Sequence, residues 1–126
     1  MKSVVGVIIW TILFILFGIY TNNEVGKFTD KYISNINVIE EYIEDDNWSE
    51  AQKKLDYYSK GYYKEKEGWY KILDHTYFDD ICLYINILDK SILTKNKTQS
   101  FIEIEKIKMT LSNILESGKF DINHIF

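Results

Sequence analysis

The chain has 126 residues, one domain's worth, with a net charge of −4, one cysteine, no proline and no arginine. A single cysteine excludes an intramolecular disulfide. An acidic chain without guanidinium groups, the side chains that read phosphate and guanine bidentately, points away from nucleic-acid binding.

The first 23 residues read as a membrane anchor. Val4 to Tyr20 (VVGVIIWTILFILFGIY) is a run of 17 positions in which Thr11 is the only polar side chain before Tyr20, and no charge occurs from Ser3 to Asn23. About 20 helical residues cover roughly 30 Å, the thickness of a hydrocarbon core. A buried core helix of that length would keep a polar face, and this segment has none. A lipid-embedded segment must also satisfy its own backbone hydrogen bonds, so it is predicted to be helical. Val4, Trp10, Phe17 and Tyr20 mark the predicted span from end to end. The alternative is a cleaved secretory signal. Against it, the apolar run is longer than a usual signal core, and Gly18 to Asn23 offers neither an Ala-x-Ala pattern nor a cysteine.

Lys2 and the α-amino group precede the run with no acid, whereas Glu24, Lys27, Asp30 and Lys31 nearly cancel after it. The positive-inside rule then puts the N-terminus in the cytoplasm and residues 24–126 outside it. From residue 24 onward, 14 Lys stand against 19 acids, about −5, so the aqueous part is not drawn to anionic lipid.

Four helices are predicted for the aqueous part. Val25, Phe28, Tyr32, Ile36, Ile39 and Ile43 recur at steps of three and four, one stripe of a helix that continues the anchor as a stalk and stops at Glu44 to Asn47. Asn47 with Glu50 is a capping pattern for a second helix, carried by Trp48, Ala51, Leu55, Tyr58, Tyr62, Trp69 and Ile72 and expected to continue past Gly61 and Gly68, the places where a break would fall. Phe78, Ile81, Ile85, Leu88 and Ile92 give the third, capped by Thr76 and Asp79. Beyond a polar linker, Thr94 to Gln99, Ser100 with Glu103 opens the fourth, whose face is Phe101, Ile104, Ile107, Leu111, Ile114 and Leu115. Gly118 is its expected C-terminal cap, and Ile122, Ile125 and Phe126 are expected to dock on the bundle. The fold class is therefore all-α: one transmembrane helix, residues 1–23, continuous with a small antiparallel helical bundle, residues 24–126.

Chemistry-bearing motifs are sparse. Asp74, His75 and Asp79 form the best cluster, because His75 and Asp79 at i and i+4 share a helix face. They fit an acid–base or metal site, but also the plain end of one helix and start of the next, with acids favoured near the helix N-terminus. Asp45, Asn47, Ser49 and Asp56 imitate part of a calcium loop, yet Glu50 stands where the loop needs glycine. Tyr57, Tyr58, Tyr62, Tyr63, Trp69 and Tyr70 can line a groove or fill the core. Cys82 is expected to be a small buried side chain. Trp48-x-x-Ala-x-x-x-Leu is similar to one helix of a tetratricopeptide unit, but no second copy follows at the right period. No phosphate loop, Gly-x-Ser-x-Gly, His-Glu-x-x-His or Cys-x-x-Cys occurs.

The anchor, Trp48 with Ala51 and Leu55, Trp69 with Leu73-Asp74-His75, Asp79 with Ile81, and the apolar terminus Ile122 to Phe126 together resemble a family of small bacterial single-pass membrane proteins catalogued as a domain of unknown function. The likeness covers essentially the whole chain. The family's Asn-Ile-Phe ending departs here by an inserted His124. The resemblance implies an anchor plus helices and a multi-span membrane partner, and brings no activity.

The sequence thus predicts a non-enzymatic interaction or assembly module, without cofactor or metal, partnered by the lipid bilayer and by another membrane or envelope protein. The candidate functional surface is Trp69, Asp74, His75 and Asp79. The alternatives are an extracytoplasmic ligand-binding or sensing domain, and an acid–base or metal site at His75.

Overall fold

The computed structural model describes residues 2–69, 73 and 75–125, with the side chains of 117–125 excepted. These residues form four helices and no strand: α1 (Lys2–Glu44), α2 (Trp48–Trp69), α3 (His75–Leu93) and α4 (Lys97–Ile125).

The helical stripes decide the packing. Each predicted stripe on α1 and α3 is buried, as are Ala51, Leu55, Tyr58 and Tyr62 of α2 and Ile104, Ile107, Leu111 and Ile114 of α4. The helices are neighbours in the order α1–α2–α3–α4 and back to α1, the ring of an up-down-up-down bundle. Polar ties bridge neighbouring helices on the rim. Lys31 of α1 reaches Glu65 of α2 at 2.6 Å, and Lys108 of α4 reaches Glu40 of α1 at 3.3 Å.

The anchor and the first bundle helix are one helix, α1, of 43 residues, or about 64 Å at the usual rise. α1 is already buried at Val25, so only Thr21 to Glu24 separate the apolar run from the first core residue.

The turns α1–α2 and α3–α4 share one geometry. Asp46 (φ 59°) and Lys95 (φ 55°) are left-handed. The N–H of Asn47 donates to the carbonyl of Tyr42 and that of Asn96 to Ser91, each at 2.8 Å, while the N–H groups of Asp46 and Lys95 donate to Ile43 and Ile92. This is the Schellman pattern, and it satisfies carbonyls that the helix end would orphan. An asparagine then caps the next helix: Asn47 accepts from the Glu50 N–H and Asn96 from the Gln99 N–H.

The match extends along both hairpins. Displaced as Asn96 is from Asn47, the buried residues Tyr32, Ile36, Ile39 and Ile43 fall on Ile81, Ile85, Leu88 and Ile92. Ala51, Leu55, Tyr58 and Tyr62 likewise fall on Ser100, Ile104, Ile107 and Leu111. The bundle is a doubled αα-hairpin, a repeat longer than the tetratricopeptide period considered from sequence.

Several expectations are corrected. α4 begins at Lys97, because Asn96 and not Ser100 is the cap; Ser100 lies inside the helix, its hydroxyl donating to the Asn96 carbonyl. α4 passes Gly118 and continues to Ile125, since a helical glycine costs only about 1 kcal/mol when the helix beyond it is sustained. As expected, α2 runs on through Gly61 and Gly68. α3 starts at His75, so Thr76 stands in its first turn and not ahead of it. The docking expected of Ile122, Ile125 and Phe126, like the face position of Ile72, lies outside the described side chains.

Candidate functional site

The apolar run of α1 has almost no cover from the rest of the chain. Val4, Trp10, Phe17 and Tyr20 are all exposed, Trp10 at 71%, and α1 is long and apolar enough to cross a membrane. Trp10, Leu13, Phe14 and Phe17 line one shallow recess along it, the spacing of a single helix face.

Trp69 lies where this run meets the bundle. It ends α2 and is half-buried, its ring 5.9 Å from that of Phe28. With Phe17, Tyr20, Thr21, Glu24 and Gly68 it lines a hollow of about 260 Å³. Trp69 therefore packs on the first turn of the core and shares a hollow with the last turn of the apolar run. Sequence reasoning missed this junction, although Tyr20 closing the run and Trp69 closing α2 were its two signals.

His75 and Asp79 stand on exposed positions of the first turns of α3, one helical turn apart. Both make interactions with other groups of the protein. Trp69, His75 and Asp79 share the end of the bundle where α2 stops and α3 begins; Asp74 lies outside the described residues. Among the described residues no group of three or more His, Cys, Asp or Glu is placed to hold a metal ion. The calcium-like residues are a helix corner. Ser49 and Asp56 belong to α2, and Asp46 pairs with Lys97 at 3.0 Å.

The tyrosines divide by depth. Tyr58 and Tyr62 are core, and the Tyr62 hydroxyl donates to the Phe78 carbonyl at 2.8 Å. Tyr63 is half-buried, its hydroxyl 3.3 Å from the Asn86 side-chain oxygen. Burial raises its pKa, against the lowering effect of Lys66, whose ammonium sits 5.2 Å over the ring. Tyr57 is 78% exposed, and Tyr70 lies outside the described residues. Cys82 is half-buried, not fully buried, at the edge of the core, and the Lys66 ammonium donates to its sulfur at 3.2 Å.

A family model described as "Domain of unknown function (DUF4363)" matches residues 19–125. The chain belongs to the DUF4363 family. The DUF4363 match starts at the end of the apolar run and takes in the whole bundle, from the Tyr20–Trp69 junction to the last turn of α4. No curated protein and no solved structure matches the chain.

Proposed function

We propose that this DUF4363 chain is a membrane-anchored interaction module. Residues 4–20 of α1 cross the bilayer with the N-terminus in the cytoplasm, and the bundle stands outside, against another membrane or envelope protein. The observation that carries the reading is the bare apolar half of a helix whose other half is core. A bilayer or a partner span is what such a surface needs. Loss of the lysine charge at the N-terminal flank would weaken the orientation preference.

The shallow recess along Trp10, Leu13, Phe14 and Phe17 supports a partner with its own transmembrane helix, since spans associate in lipid by van der Waals packing of complementary surfaces. In this reading the domain is non-catalytic, and His75 and Asp79 serve the start of α3. A photo-crosslinking residue at Leu13, compared with one at the exposed Leu83 on α3, tests it. One reproducible membrane-protein adduct from Leu13 in native membranes is expected, and adducts to lipid alone would overturn the partner.

A further inference from the structure

α1 and α2 do not close completely along their outer seam. A cleft of about 430 Å³ opens there, within the size range of small-molecule sites. Helix geometry composes it. Positions 31, 32, 35 and 38 of α1 face positions 54, 57, 58, 61 and 64 of α2, each set following one face. Tyr32 and Tyr58 form the floor, their rings edge to face at 5.1 Å. Both hydroxyls are buried with no hydrogen-bond partner, which native proteins rarely tolerate. Gly61 keeps the floor open, since a Cβ there would stand 3.3 Å from the Tyr32 hydroxyl.

The walls carry Lys31, Lys54, Lys60 and Lys64. Lys31 is held by Glu65 at 2.6 Å. The other three form no ion pair with a described residue. Three ammonium groups without an acidic partner among the described residues, around one apolar-floored cleft in a chain whose net charge is −4, create a local positive field against the overall sign.

We propose that this cleft binds a small aromatic oxyanion, its ring over Tyr32 and Tyr58 and its charged oxygens among Lys54, Lys60 and Lys64. An oxygen reaching the floor gives the tyrosine hydroxyls the acceptor they lack. The inference does not depend on membrane crossing or on the protein partner.

The test is calorimetric titration of the full chain, in zwitterionic phosphatidylcholine nanodiscs, with phenyl phosphate. Saturable binding is expected below about 10 mM, weakened about tenfold by the triple variant Lys54→Gln/Lys60→Gln/Lys64→Gln, because charge-assisted bonds are the strong ones. Tyr58→Phe, which keeps the ring, should weaken binding about threefold through the lost hydroxyl. The lysines are exposed, and an unchanged circular dichroism spectrum shows that the triple variant folds. Absence of saturable binding, or undiminished binding by the triple variant, overturns the proposal. Equal binding of benzyl alcohol removes the role of the lysines, and equal binding of inorganic phosphate that of the aromatic floor; either result also overturns it.

Discussion

Asp46 and Lys95 hold left-handed backbone at the two turns, a conformation that costs most L-residues about 1–2 kcal/mol. Lys95→Gly should raise the urea midpoint, gaining roughly 0.5–1 kcal/mol because glycine bears the positive φ without strain. One residue later the sign reverses. Asn96→Ala removes the cap on the Gln99 N–H and should cost about 1 kcal/mol in the same measurement. The tyrosines offer a second contrast. Tyr62→Phe deletes a satisfied hydroxyl and should destabilise by about 1 kcal/mol, whereas Tyr58→Phe deletes an unsatisfied one and should stabilise by a similar amount. Burial pushes the Tyr58 phenol up, and burial together with the neighbouring Glu65 carboxylate pushes up Tyr32. The folded state thus holds these protons more tightly than the unfolded one. Stability should be level below about pH 10, where unfolded phenols begin to ionise, and fall above it. A pH series of urea midpoints reads this, with a shallower decline in Tyr58→Phe.

At the scale of the helices, the core was written in the sequence and its punctuation was not. The stripe Phe78–Ile81–Ile85–Leu88–Ile92 is buried as spaced, because apolar side chains at steps of three and four can only face one way. The start of α4 was misread because Asn96 and Ser100 are both good caps, each with an amide or acid three residues on, and only the left-handed Lys95 decides between them. The doubled hairpin escaped notice because few positions repeat identically, Ile36 with Ile85, Ile43 with Ile92 and Asn47 with Asn96 among them; burial repeats, but residue identity does not. Equivalence makes a prediction. Ile36→Ala and Ile85→Ala, both in fully buried matching positions, should each cost roughly 2–5 kcal/mol. Glycines differ by surroundings. Gly26→Ala meets open space inside α1 and should gain about 1 kcal/mol of helix propensity. Gly61→Ala should gain less, since its Cβ presses on the Tyr32 hydroxyl. Thermal melts of the two variants check the order.

For the molecule as a whole, the sequence announced the continuity of anchor and bundle, an arm setting the bundle's distance and orientation at the membrane. The core begins at Val25, and Trp69 lines one hollow with Phe17, Tyr20 and Thr21. That hollow joins residues some 50 positions apart and has no local sequence signal. The lysine cleft was hidden for a related reason: neither helix carries it alone, and the net acidity of the chain masks it. The account turns on α1 crossing the bilayer with the bundle on the far side. Fusing alkaline phosphatase, active only outside the bacterial cytoplasm, after Phe126 tests this directly. The account predicts high phosphatase activity confined to the membrane fraction; an inactive fusion of full length, or an active one recovered in the soluble fraction, would contradict it.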